Sequence, residues 1–370
     1  MPKVETMDKL LLAMEKFGAS DLHLKVGYPP YFRVAGTLRK PEVDPITSPA
    51  EIEELVRPII PASRRHVLEE TGGLDFSYKG LGQDRFRVNV FRAMGELHVA
   101  VRRVNSRIPT FEELHLPPIC AKVVGRTHEG LILVSGVTGS GKSSTLAAML
   151  NLVNDTRGCH IVTIEDPIEY AFRPNRAIIS QREVGIDVPS FPVALKHVVR
   201  QNPDVIFIGE LRDSETMLAG IQAAETGHLV FGTVHCADAP QVISRILEFF
   251  PKNQHDFIRS SLSNSLVAVF AQRLLPAIDP KISRVPATEA LLTNPTVRDK
   301  IRKGEENDLA DLIGACRDEG MHSFTDSLTD LVNNEMVTRD VAMQFAPNPD
   351  ALASSLRGIR TTSQTLVQRR

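Results

Sequence analysis

A chain of 370 residues is long enough for two domains, each with a core of its own. Hydrophobic residues make up 42% and charged residues 24%, an ordinary soluble balance, and 43 basic against 45 acidic side chains leave −2, with no overall basic field for nucleic acid or anionic lipid. The four cysteines (Cys120, Cys159, Cys236, Cys316) include no CxxC pair, which argues against a disulfide framework and a thiolate zinc site and fits a reducing cytoplasm.

Residues 7–17 read as a short amphipathic helix with Leu10, Leu11, Met14 and Phe17 on one face. Glu5 and Asp8 at its start are the opposite of a signal peptide's basic head, and no apolar run approaches the roughly 20 residues that cross a bilayer. Residues 21–26 alternate as a half-buried strand, and segments 31–34 and 37–39 flank Ala35-Gly36 as a tight hairpin. Ser48 as cap, Pro49 in the first turn and Glu51 three residues on start a helix toward Val56, followed by another over 63–70. Residues 84–91 put Arg85, Arg87 and Asn89 on one face and Phe86, Val88 and Val90 on the other, with 97–104 as the expected antiparallel partner. Residues 1–104 thus form a small α+β domain. Pro109, Pro117 and Pro118 mark 105–118 as a linker with a helical turn near 111–114. Beyond it, apolar strands over 131–134, 161–164, 205–208 and 229–233 alternate with helices, the pattern of a parallel sheet covered on both faces. Helices are expected from about 253 to 343 within a domain spanning 119–350, and a polar, Arg-rich end makes 351–370 an expected mobile tail.

The strongest chemical signal is Gly136-Val137-Thr138-Gly139-Ser140-Gly141-Lys142-Ser143, followed by Ser144, a full GxxxxGK[ST] phosphate loop between an apolar strand and a helical run. Its glycines let backbone N–H groups converge on phosphate oxygens, Lys142 reaches the β- and γ-phosphates of ATP, and the Ser143 hydroxyl binds Mg²⁺. A second apolar strand ends in Glu210, with Gly209 where an aspartate is usual, so Glu210 has to hold Mg²⁺ or polarise the attacking water. Between them lie Glu165, Asp166 and Glu169 after a strand, with Glu165 the first choice and Glu169 the second for handling water. His228 and His235 bracket the strand over 229–233, and a polar residue after a strand beside the nucleotide strand can sense the γ-phosphate. The phosphate-loop core lacks an obvious cation in cis, so Arg85, Arg87, Arg92, Arg102 and Arg103 are candidates to act across a subunit boundary.

These segments, in this order, resemble the type II/IV secretion ATPase superfamily, and within it the type IV pilus retraction (twitching motility) ATPases, the PilT/PilU family. Gly18-Ala19-Ser20-Asp21-Leu22-His23-Leu24 looks like that family's N-terminal signature; Arg85-Phe86-Arg87-Val88-Asn89 and Arg102 match its arginine strands. The Asp box from Glu165 to Glu169, Gln181-Arg182-Glu183-Val184, Gly209-Glu210, the His box from Thr226 to His235, and Gly320-Met321 with Leu328 onward extend the likeness over nearly the whole chain. Residues 181–187 look more like PilU and 229–233 more like PilT.

The resemblance implies an α/β chain: a RecA-like P-loop ATPase domain with a smaller N-terminal α+β, PAS-like domain, assembled as a homo-hexamer with ATP between subunits. It implies that Glu165 is the catalytic base, Glu210 the Walker B acid, and His228 and His235 the His-box residues. Arg87 and Arg102 would reach the neighbour's phosphates, and Arg245 matches a further basic position. Cofactors would be ATP and Mg²⁺. Partners would be the inner-membrane pilus platform protein and a paralogous retraction ATPase, with no direct nucleic acid and no transmembrane segment, at a cytoplasmic location peripheral to the inner membrane. Pilus assembly and type II secretion ATPases are rivals, though these usually carry a four-cysteine zinc motif; a RecA-like helicase predicts a basic DNA path that a charge of −2 does not encourage.

Overall fold

The computed structural model describes residues 6–82, 84–104 and 106–358. They divide into two compact units, one within Met1–Arg107 joined by Ile168–Arg173, the other within Ile108–Pro167 and Pro174–Arg370. The α/β class is as expected. Among the described residues no helix is long and apolar enough to cross a membrane.

The first unit begins with α1 (Met7–Phe17), where Thr6 accepts from the Lys9 N–H and Gly18, in the left-handed region, ends the helix. Met7, Leu10, Leu11 and Met14 are buried, whereas Phe17, expected on the same face, is exposed and meets Phe32 only edge-on. Strands β1 (Asp21–Leu24), β2 (Tyr31–Val34) and β3 (Thr37–Arg39) follow, with Ala35 and Gly36 both at positive φ in the hairpin turn. Helix α2 (Pro49–Val56) starts where expected, but the Ser48 side chain does not cap it; Glu51 turns back to accept from the Thr47 N–H and hydroxyl. Helix α3 (Arg65–Thr71) leads to β4 (Gly73–Lys79), a strand the sequence reading passed over, then β5 (Arg85–Ala93) and β6 (Glu96–Val104). The sheet order is β3-β2-β1-β6-β5-β4. Leu22, Phe76, Val88 and Val101 form its apolar face, in one core with Leu11, Met14 and Ile52.

The second unit opens with a turn in which the Leu114 and Leu116 N–H groups donate to Thr110 and Phe111 carbonyls. There follow α4 (Pro118–Arg126), β7 (Gly130–Ser135), α5 (Lys142–Thr156), β8 (His160–Glu165), β9 (Ile178–Glu183), α6 (Phe191–Val198), β10 (Val205–Ile208), α7 (Ser214–Glu225), β11 (Leu229–Val234), α8 (Gln241–Leu247) and α9 (His255–Ser265). The stretch 253–343, expected to be helical, contains two long strands, β12 (Leu266–Pro276) and β13 (Arg284–Leu292). A continuous apolar run has the same pattern in a buried strand and a buried helix; pairing with β7 decides for the strand. Helices α10 (Pro295–Lys303), α11 (Leu309–Ala315), α12 (Phe324–Asn333), α13 (Arg339–Phe345) and α14 (Pro349–Leu356) complete the unit. The expected tail from 351 is likewise corrected: Leu352 of α14 is fully buried, while 359–370 lie outside the described residues.

The sheet order here is β13-β12-β7-β11-β10-β8-β9. Every pairing from β12 to β9 is parallel, and β13 closes the edge antiparallel to β12. All residues of β7, β10 and β11 are buried, as a sheet covered on both faces requires.

Candidate functional site

Parallel strands end at one edge, and the register fixes which residues meet there. Ser135 of β7 pairs with Val234 of β11, Gly232 with Ile208 of β10, and Ile208 with Ile164 of β8. The chain therefore leaves the sheet into the phosphate loop, toward His235, toward Gly209-Glu210 and at Glu165 along the same edge, where ligands of such sheets bind.

In the loop, Gly136 is at φ 149°, and a Cβ there would lie 2.4 Å from Ser140 Oγ and 2.5 Å from the Gln272 carbonyl, so only glycine fits. Helix α5 starts at Lys142 with no side-chain cap, leaving its first N–H groups and the positive end of its dipole to the loop. Lys142 is buried, and Nζ donates to the carbonyls of Gly136 at 2.7 Å and Val137 at 3.1 Å, which sets the ammonium over the loop. Ser140 Oγ is buried with no hydrogen-bond partner. An uncapped helix start, a glycine cradle, a buried ammonium and an unsatisfied hydroxyl fit a polyphosphate. Beside them, a cavity of about 390 Å³ has a mixed wall, with Leu116, Leu274 and Ile282 on its apolar part and Thr145, Lys281 and Arg284 on its polar part, next to the phosphate cradle.

Gly209 explains why the usual aspartate is missing. A Cβ there would come within 3.1 Å of the Ile164 carbonyl and 3.3 Å of Glu165 Cα, because its N–H bonds Ile164 O at 2.8 Å. The Thr233 hydroxyl donates to Gly209 O at 2.5 Å, which ties the ends of β10 and β11. Glu210 is the first residue free to carry the acid. Its carboxylate lies 3.6 Å from Arg212 Nη1 and 3.6 Å from His235 Nε2. Burial and the charges of Lys142 and Arg245 push the His235 pKa down against the pull of Glu210, so the ring is neutral at pH 7. Lys142, Glu210, His235 and Arg245 thus share one electrostatic neighbourhood. Arg245, on α8, also pairs with Glu248 at 2.5 Å and lies 5.4 Å from the Phe249 ring centre.

Glu165 is buried and accepts from the Thr163 hydroxyl at 2.6 Å and Gln181 Nε2 at 3.1 Å. Glu169, the second choice among these carboxylates, falls in the Ile168–Arg173 segment that belongs to the first unit.

His228 is not brought to this edge. It precedes β11 at the far end of the strand, its Nδ1 3.0 Å from the Ala223 carbonyl and 3.3 Å from the Thr226 hydroxyl, in the turn after α7. Within its own unit its contacts are to that turn, and the structure does not bring it together with Lys142, Glu210 and His235.

Arg87 and Arg102 belong to the first unit and stand directly opposite each other on β5 and β6. One row across the polar face of that sheet reads Arg33, Asp21, Arg102, Arg87, Ser77. Asp21 holds Arg102 Nε at 3.0 Å and Arg33 Nε at 3.4 Å, and Asp75 holds Arg87 Nε at 3.5 Å. Burial opposes the ionised Asp21, but hydrogen bonds from Ser20 and Arg102 and the two guanidinium charges outweigh it and lower its pKa.

The motifs read from the sequence single out no role for Gln181, Thr163 or Thr233, and Gln272 lies outside all of them. The signal for Gln272 was there, as a lone amide interrupting the apolar run of β12. Among the described residues no cluster of three or more His, Cys, Asp or Glu is arranged to hold a metal. Burial pushes the Cys236 thiol up to about 11, away from thiolate chemistry.

Three comparisons bear on this site. The sequence profile of the type II/IV secretion system proteins matches residues 2–303. The type IV pilus ATPase PilU of Pseudomonas aeruginosa is 39% identical over 93% of this chain and 90% of its own length, and the retraction ATPase PilT of the same organism is 39% identical over 92% and 98%. A crystal structure of the pilus retraction motor PilT with bound ADP superposes with a TM-score of 0.87 at 39% identity, covering 95% of this chain and 99% of that one.

Proposed function

The chain belongs to the type II/IV secretion system protein family of ATPases, and from that premise we propose that it is a hexameric motor coupling ATP hydrolysis to type IV pilus retraction. The observation that carries the proposal is the convergence of Lys142, Glu210, Glu165 and His235 at one edge of the parallel sheet.

In this reading the loop N–H groups and Lys142 bind the phosphates, and the cavity beside Ser144 takes the base. Ser143 and Glu210 hold Mg²⁺ with the phosphates and water; such a site needs few protein ligands, and Mg²⁺ when bound neutralises phosphate charge. Glu165 orients the attacking water and takes its proton, kept in place by Thr163 and Gln181. His235, neutral and beside Glu210, reads the state of the phosphates. Arg87 and Arg102 act in trans: the two guanidinium groups stand directly opposite each other on the polar face of the sheet, and each holds a carboxylate through Nε, a geometry that supports a contact with a neighbour's phosphates. Closure of one unit on another chain's nucleotide then moves the ring, and the work is delivered through the pilus platform at the cytoplasmic face of the inner membrane, alongside a paralogous retraction ATPase.

Deleting the gene tests the direction of work. Cells that keep surface pili but no longer retract them fit the proposal, whereas cells without pili make this an assembly enzyme.

A further inference from the structure

Strand β12 stays paired with β7 as far as Ala271, opposite Ser135, so the next residue, Gln272, stands level with Gly136 where the phosphate loop begins. Gln272 is 2% exposed. Both ends of its amide are used: Nε2 donates to the Ser140 carbonyl at 2.6 Å, and Oε1 accepts from the Thr145 hydroxyl at 2.8 Å. A Cβ on Gly136 would lie 2.5 Å from the Gln272 carbonyl oxygen, and one on Gly141 would lie 3.0 Å from Nε2. Two glycines of the motif therefore answer to one residue of a strand outside it.

A buried amide with both ends satisfied has one favoured orientation. Holding the Ser140 carbonyl toward β12 turns the Gly141 N–H, across the same planar trans peptide, to the opposite side. That N–H is one of the leading donors at the start of α5, the groups an anion meets at a helix N-terminus.

We propose that Gln272 is a positioning residue for the bound nucleotide: it fixes the peptide between Ser140 and Gly141 and ties it to the first turn of α5 through Thr145. It touches no reacting atom and acts through the loop. The inference rests on the nucleotide-site reading above.

Gln272→Glu keeps the shape and the acceptor for Thr145 but sets an oxygen against the Ser140 carbonyl; Gln272→Met keeps the volume and loses both bonds. In the full chain, each is expected to weaken binding of a fluorescent ADP analogue on the order of tenfold, the scale of one buried hydrogen bond. KM for ATP should rise by a similar factor with kcat nearly unchanged, the split expected when ground and transition states lose the same contact. Thr145→Ala, which loosens the same tie from the other end, should raise KM less, and Thr145→Ser should restore it. Leaving buried partners unsatisfied destabilises the fold, so the nucleotide-free melting temperature should fall in both Gln272 variants, and ADP affinity is read well below it, where all four chains are folded. Variants that melt earlier yet bind ADP as the wild type does would make Gln272 merely structural and overturn the inference. If both Gln272 variants fail to fold, unchanged ADP affinity in Thr145→Ala overturns it equally. A wild-type chain that binds no ADP overturns the nucleotide reading itself and this inference with it.

Discussion

In the parallel sheet the reactive groups come from the ends of buried strands, whereas in the antiparallel sheet they come from one exposed face. The first arrangement places Glu165, Glu210 and His235 at or just past the ends of buried strands by their register, with Lys142 at the start of α5 beside them. The second places Arg87 and Arg102 by cross-strand pairing, with Asp21 and Asp75 offsetting their repulsion. The difference teaches that the proposed nucleotide site is tied to backbone and strand ends, whereas the arginine row lies on side chains of a polar face.

The sharpest way to break that contrast is Lys142→Ala, expected to lower steady-state ATPase activity on the order of 10³-fold or more while circular dichroism stays native. Residual activity near wild type would remove the phosphate loop from the chemistry. Arg102→Ala comes next, expected to cost about 10²-fold in kcat with ADP affinity of the isolated chain unchanged, since a group acting on a neighbour's phosphates adds nothing to its own site. A loss of affinity without loss of kcat would place Arg102 in its own chain's site.

How much of this was legible depends on whether the cause was local. Helix α1, the Ala35-Gly36 hairpin and the phosphate loop follow from caps, turn residues and motif spacing within a few positions of each other, and each begins or turns where the sequence indicated. The absence of an aspartate at Gly209 was visible, but its reason lies on β8, 44 or so residues away by the strand register that sets Ile164 beside Ile208. Gln272 was lost because β12 reads as well as a helix, and only its pairing with β7 resolves the choice. That His228 and His235 stand at opposite ends of β11 is legible in the sequence, where they bracket the strand, and the parallel register fixes which of them meets the phosphate loop.

Two smaller effects sharpen the same comparison. Gly209→Asp, restoring the more usual acid, is expected to destabilise the chain by about 1–3 kcal/mol in urea denaturation, the ordinary cost of overpacking against a neighbouring strand. An unchanged midpoint would show that the strand ends have more slack than their register implies.

The last concerns Glu289, a buried carboxylate of β13 that accepts from the Ala239 N–H after the His box and from the Phe324 N–H of α12. Burial pushes it up to about 7, with Asp238 pushing the same way and the two N–H groups and Arg273 pulling back. The folded chain then binds a proton there that the unfolded chain, with an ordinary carboxylate near 4.5, has released. That contribution is complete below about pH 4.5 and is lost as pH rises through 7, so Glu289→Gln should gain in melting temperature relative to wild type as pH rises from about 4.5 to about 7, and no further above that. A difference that stays flat with pH would mean the carboxyl is ionised throughout.

The central claim is that one chain's phosphate loop works with another chain's arginines, and mixing two dead variants tests it most directly. Lys142→Ala and Arg102→Ala chains, each inactive alone, should regain ATPase activity when co-assembled, because roughly a quarter of the head-to-tail interfaces in a random ring pair an intact loop with an intact arginine. Mixtures that stay as inactive as their parents, in rings shown to contain both chains, would contradict it.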